Sequence, residues 1–167
     1  VEISQHRMEK LFPQCMKMLG GIESKIFRYI GSFYDLKLPP ESIDLVFMSQ
    51  AFHHADQPNL LLESCSRILK KGGLMVIVGE HYIGPVQFFK RFFTTLLRKG
   101  QLVANFSQLF PPDSDSGDHF YRIRDYKKMF LLNGFSLLFK KNCSDKLTLI
   151  ANKIEAPHPL PCKTFIP

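Results

Sequence analysis

The stretch IDLVFMSQAFHHADQPNLLLESCSRILKKGGLMVIV, residues 43–78, decides how the chain folds. It opens with a nearly unbroken apolar run, Ile43 to Met48, of the kind a central parallel strand carries when both its faces are buried. A second such run, Leu74 to Val78, closes it. Between them Leu61, Cys65, Ile68 and Leu69 fall at i, i+4, i+7 and i+8, one buried helical stripe. Asp56 stands where a helix is capped, and Pro58 falls in the first turn, where a missing N–H costs little. Lys70 and Lys71 suit the negative end of that helix, and Gly72 and Gly73 end it. Strand, helix, strand in this order predicts a parallel βαβ unit.

The flanks repeat the scheme. VEIS, residues 1–4, reads as a strand tip, with Ser4 capping a helix that Pro13 interrupts and Gly20 and Gly21 stop. KIFRYIGSF reads as a strand ending at Gly31, and LKLPPES as a loop by its paired prolines. Further on, Tyr126, Met129 and Phe130 share a helical face before Gly134. FSLLF and KLTLIANK follow with no helix between them, so they pair antiparallel. The expected fold is α/β and Rossmann-like: a mostly parallel, three-layer sheet with a C-terminal antiparallel hairpin. One domain is expected over residues 1–154, with a lid-like insertion at about 84–118 and a Pro-rich irregular tail at 155–167.

Composition narrows the class. The chain has 167 residues, 45% hydrophobic and 22% charged, as ordinary globular proteins do. The net charge of +7 is scattered rather than striped, so charge alone argues weakly for a nucleic-acid partner. Cys15, Cys65, Cys143 and Cys162 stand at long gaps, unlike a zinc site or a disulfide framework, and fit a reducing, cytoplasmic setting. No apolar stretch approaches the roughly 20 residues that span a bilayer.

In open α/β sheets, ligands sit outside the carboxyl ends of the strands. The polar tips there are Glu2, Ser32, the run Ser49 to His54, and Glu80 to Tyr82. His53, His54 and Asp56 are too close in sequence to face one ion easily, so no metal is expected. A neutral imidazole can take a proton at pH 7, so His53 and His54 are candidate bases, as are Glu80 and His81, which equally suit an orienting role. Plain loop packing is the competing reading.

Residues 31–82 carry a resemblance. Gly31, Leu38-Pro39, Asp44-Leu45-Val46, His53-His54, Glu63, Arg67, Leu69-Lys70 and Gly72-Gly73 together are similar to the central stretch of class I S-adenosylmethionine-dependent methyltransferases, of the methyltransferase type 11 kind. The resemblance implies S-adenosyl-L-methionine as cofactor and a small-molecule methyl acceptor. It places Glu2, with Ile3 beside it, at the ribose hydroxyls, and Ser32 and Phe33 at the adenine. Ser49, Gln50 and His54 then help to wall the cofactor's methionine end. Methyl transfer asks mainly for alignment, with a base only where the nucleophile must lose a proton. For the acceptor the candidates are Tyr82, Phe88, His119 and Tyr121. The helix after Gly84-Pro85, with Phe88, Phe89, Phe92, Phe93, Leu96 and Leu97, suits a lid over a hydrophobic acceptor or packing on the sheet.

The sequence also departs from the family. No two glycines are separated by a single residue, so its G-x-G turn is absent. A chain that opens at the second strand, without an initiator Met, reads as a piece of a longer protein or a divergent member. The alternative function is therefore a non-catalytic methyltransferase-like module acting through protein or nucleic-acid contacts.

Overall fold

Local signals and packing agree over most of residues 1–2, 4–100, 102–141 and 146–154, which the structure, a computed structural model, describes. Ile3, Cys143, Cys162 and the tail 155–167 lie outside the described residues. Two compact units form, Val1–Pro39 and Pro40–Pro167.

In the first unit, the Ser4 hydroxyl accepts the Arg7 N–H at 3.3 Å, as a capping residue does. A π-helical turn over Arg7–Leu11 then leads into α1, Phe12–Met18. Pro13 offers no N–H to the preceding turn, and a wider turn is one way a helix absorbs that loss. The expected strand ending at Gly31 contracts to one parallel bridge, Glu2 with Ile30. Glu2 N–H donates to Tyr29 at 3.1 Å, and Gly31 N–H donates back to Glu2 at 3.1 Å.

The second unit carries the sheet. Its strands are β1 (Ile43–Ser49), β2 (Leu69–Glu80), β3 (Phe135–Lys141) and β4 (Leu147–Lys153). They lie in the order β1-β2-β4-β3. β1 and β2 are parallel, and α2 (Pro58–Ile68) connects them. β3 and β4 form the expected antiparallel hairpin, and β4 also pairs antiparallel with β2. The remaining helices are α3 (Pro85–Lys99), α4 (Phe106–Leu109) and α5 (Ile123–Leu132). The fold is α/β and Rossmann-like. No helix among the described residues is long and apolar enough to cross a membrane.

Burial follows the strand period of two. Met75 and Ile77 of β2 and Leu149 and Ala151 of β4 are fully buried, with Leu61, Leu62, Cys65 and Ile68 of α2 and Tyr126 and Phe130 of α5. The opposite face carries Leu45 and Phe47, opposite Leu74 and Val76 in register, and Phe47 is 62% exposed. β1 is therefore not buried on both faces as its composition suggests. Its apolar run alternates between a covered and an open side.

Two boundaries of α2 also differ from expectation. Asp56 does not cap the helix; Gln57 takes that position without a side-chain cap, and Asp56 turns to His119. The helix stops at Ile68, because Leu69 is already extended and pairs with Ile43. Lys70 therefore reaches Asp44 at 2.7 Å rather than the helix end. Gly72, at φ 71°, makes the turn that returns the chain to register at Leu74.

At the start of α5, Asp125 takes the Arg122 backbone N–H at 2.8 Å and two guanidinium N–H groups at 2.7 and 2.9 Å. Partial burial pushes its carboxyl up, but the Arg122 hydrogen bonds and charge outweigh it and hold the carboxyl below the usual range. Asp125→Asn is expected to cost about 1 kcal/mol at pH 7. Because the folded value lies below the unfolded one, that difference is present above about pH 4 and lost as pH falls further. Urea melts of both proteins across pH 3–7 check the convergence.

Cysteine reactivity offers a second check. Cys15 is exposed and Cys65 is buried, where desolvation pushes the thiol up to about 12. Iodoacetamide at pH 8 is expected to label Cys15 and spare Cys65 until the protein is unfolded, as read by peptide mass mapping. Equal labelling of both in the native protein would contradict the packing of α2.

Candidate active site

The site grows from the carboxyl ends of the two parallel strands. β1 pairs with β2 as far as Ser49 with Val78. The next residue, Gln50, takes a left-handed φ of 49° and donates its N–H to Val78 at 2.9 Å. Its side chain crosses Gly79 (φ 78°), where an added Cβ would come within 2.7 Å of Gln50 Cγ. A non-glycine residue with positive φ at a strand end is a strained feature of the kind that clusters at functional sites.

The chain then makes a short helical turn, Phe52–His54. Phe52 is its anchor, fully buried with ring centroids of Phe130, Tyr126 and Tyr121 at 5.6, 5.9 and 6.2 Å. Glu80, the last residue of β2, is also 0% exposed. Its Oε1 accepts the Phe52 N–H at 3.1 Å, and its Oε2 accepts the His53 N–H at 3.2 Å and His53 Nδ1 at 2.9 Å. One buried carboxylate thus holds the turn and orients a histidine. Because the carboxylate accepts, His53 Nδ1 carries the proton, and in the neutral ring Nε2 keeps its lone pair.

A distant loop closes over this turn. His119 N–H donates to the His53 carbonyl at 2.8 Å, and His119 Nε2 meets Asp56 at 3.1 Å. Asp118, between these anchors and Gly117, brings Oδ1 to 3.0 Å from His54 Nδ1 and 3.8 Å from His53 Nε2. The loop has its own support, since Asp113 accepts the N–H groups of Asp115 and Ser116 at 2.9 Å each. Those backbone donors, Ser116 first, hold the Asp113 carboxyl below its ordinary value. The Tyr126 hydroxyl donates to the His81 carbonyl at 2.9 Å. Burial first, then the nearby charge of Glu80, pushes the Tyr126 phenol well above its ordinary value.

The structure thus gathers His53, His54, Glu80, His81 and His119 in one place. His53 is 4% exposed, His54 has a half-exposed side chain, and the His81 ring lies 5.1 Å from that of His53. Tyr121 stacks near His119 at 6.3 Å. Tyr82 and Phe88 line a hollow of 460 Å³ with Phe89, Arg122 and Arg124. A larger hollow, 810 Å³, opens elsewhere between Glu41, Glu63, Arg67 and Lys71 and contains none of the candidate residues. In the first unit, Glu2 Oε1 accepts the Ser4 N–H at 2.9 Å, while Oε2 faces Arg7 at 3.8 Å. Ser32 Oγ accepts the Tyr34 N–H at 3.2 Å, and Phe33 packs edge-on against Tyr34. The residue that sequence reasoning passed over is Asp118. Its only signal was its place in Gly117-Asp118-His119, beside a histidine already singled out.

Residues 12–77 match the profile of a family described as methyltransferase domain. Among solved structures, the chain is similar to the YcgJ protein of Bacillus subtilis, with 14% identity over 92% of this chain and 81% of that one and a TM-score of 0.63. It is also similar to a SAM-dependent methyltransferase of Methanosarcina mazei, with 12% identity over 93% of this chain and 81% of that one and a TM-score of 0.57. A third likeness is to an O-methyltransferase family 2 protein of Planctomyces limnophilus in complex with apigenin, with 14% identity, 87% of this chain, 40% of that one and a TM-score of 0.60. No curated protein matches the chain by sequence. At such low identity the solved structures establish the fold alone, and the profile match spans the segment that carries β1, the histidine turn and α2. The chain therefore shares the fold of the S-adenosylmethionine-dependent methyltransferases it is similar to, and its residues 12–77 match the methyltransferase domain family.

Proposed function

We propose that this protein transfers a methyl group from S-adenosylmethionine to a small-molecule acceptor. The observation that carries the reading is the histidine turn at the carboxyl ends of parallel β1 and β2, inside the segment that matches the methyltransferase domain. The donor set suits the cofactor: a carboxylate oxygen on Glu2 that faces Arg7 and can accept a ribose hydroxyl, a hydroxyl on Ser32, and an aromatic ring on Phe33 for the adenine. Ser49, Gln50 and His54 are assigned to the methionine end. When bound, S-adenosylmethionine supplies a methyl group already activated as a sulfonium.

The remaining work is positioning, which supplies most of the rate in such a reaction. Glu80 is too buried to touch an acceptor and acts as the positioning residue for His53. The hollow of Tyr82, Phe88 and Phe89, with Arg122 and Arg124, suits a flat apolar acceptor that carries an anionic group. His119 and Tyr121 sit on the loop over the histidine turn and are assigned to the acceptor side.

Calorimetric titration with S-adenosylmethionine tests the reading. One saturable site is expected, weakened at least about tenfold in Glu2→Ala by loss of a charge-assisted hydrogen bond. No binding heat and no methyl transfer from labelled cofactor would overturn it. That outcome would favour the non-catalytic module acting through protein or nucleic-acid contacts.

A further inference from the structure

We propose that His53, His54 and Asp118 form a binding site for one divalent transition-metal ion, zinc in the first instance. The sequence argues against a metal here because His53, His54 and Asp56 stand too close together to face one ion, and in the structure Asp56 is occupied with His119. Folding supplies Asp118 instead. The three donor atoms, His53 Nε2, His54 Nδ1 and Asp118 Oδ1, lie within 4.8 Å of one another. Ligands held at about 2.0–2.1 Å around a tetrahedral ion stand about 3.3 Å apart. The separations of 3.0 and 3.8 Å between Asp118 Oδ1 and the two imidazole nitrogens bracket that spacing.

Three features distinguish this cluster from a chance meeting of polar side chains. Glu80, fully buried, holds His53 Nδ1 at 2.9 Å and so presents Nε2 as the free donor. This carboxylate–histidine relay is the support that metal-ligating histidines ordinarily have. Next, Asp118 Oδ1 is shielded from solvent and lacks a partner in hydrogen-bond geometry, although His54 Nδ1 is only 3.0 Å away. A buried, unsatisfied carboxylate oxygen costs free energy that a cation would recover. Finally, the His119 N–H to the His53 carbonyl, at 2.8 Å, pins the Asp118 loop across the turn before any ion arrives.

The donor chemistry selects the ion. Two imidazoles and one carboxylate suit zinc and its neighbours, whereas magnesium and calcium favour all-oxygen shells. Three protein ligands leave a coordination position open, as in sites where the ion meets a substrate. Ion binding itself does not depend on the methyl-transfer reading.

The test needs neither cofactor nor acceptor. Protein stripped with a chelator is titrated with Co²⁺, following its visible absorption, and with Zn²⁺ by equilibrium dialysis. One ion per chain is expected, with the intense bands of a four-coordinate site. His54→Ala and Asp118→Asn, both at partly exposed positions, are each expected to weaken binding at least about 100-fold. Circular dichroism confirms that both remain folded, and His6→Ala serves as a control that binds like the parent. Absence of a stoichiometric site, or binding that His54→Ala and Asp118→Asn leave unchanged, would mean adventitious ions only and would overturn the proposal. Failure of the methyl-transfer reading would leave the cobalt spectrum untouched, so the two readings fail separately.

Discussion

Glu80→Ala is expected to destabilise the protein by about 3–5 kcal/mol, close to the limit a domain of this size tolerates. The carboxylate is fully buried and takes three N–H groups, from Phe52, from the His53 backbone and from the His53 ring. Alanine leaves those donors buried without an acceptor, at about 1–3 kcal/mol for each one that water fails to reach. Glu80→Gln is the graded companion. It keeps the shape and one acceptor oxygen but turns an NH₂ toward a donor, and a loss of about 2 kcal/mol is expected. It also releases His53 Nδ1. Denaturant melts read both effects. A cost below about 1 kcal/mol for Glu80→Ala would show that the turn holds itself without the carboxylate.

Phe52→Ala is expected to cost about 3–5 kcal/mol, lowering the melting temperature by roughly 10 °C. Phe52 is fully buried and touches rings from α5 and from the loop that carries Tyr121. Removing it leaves a cavity between the histidine turn and α5 that those large rings cannot fill. Phe52→Leu keeps most of the volume and is expected to cost less than about 1.5 kcal/mol. Phe27→Ala, at a position 98% exposed, serves as the contrast and is expected to fall within about 0.5 kcal/mol of the parent. Comparable losses at Phe52 and Phe27 would sink the packing described for the turn.

Much of the fold was legible in the chain. The strand Ile43–Ser49, the stripe of α2, the buried Tyr126 and Phe130 and the C-terminal hairpin all emerge where hydrophobic period and turn residues place them. These elements depend on neighbours a few residues away, and periodicity records such neighbours. The errors fall where a distant partner outbids the local signal. Lys70 to Gly73 look like a helix end, but Leu69 is already paired with Ile43, and Lys70 reaches Asp44. Asp56 looks like a cap, but His119 claims it across the loop.

The candidate site divides the same way. The sequence alone identified a βαβ unit, put His53 and His54 at its strand ends, and singled out Glu80, His81 and His119 as the polar residues worth watching. Local chemistry was enough for that, because polar residues after a buried strand have few places to go. Only the tertiary structure decided what these residues do to one another. It buried Glu80 beneath the turn, made it the partner of His53 Nδ1, and carried Asp118 across the chain to the two imidazoles. Those contacts join residues far apart in sequence, and no spacing along the chain encodes a distance that exists only after the sheet has formed.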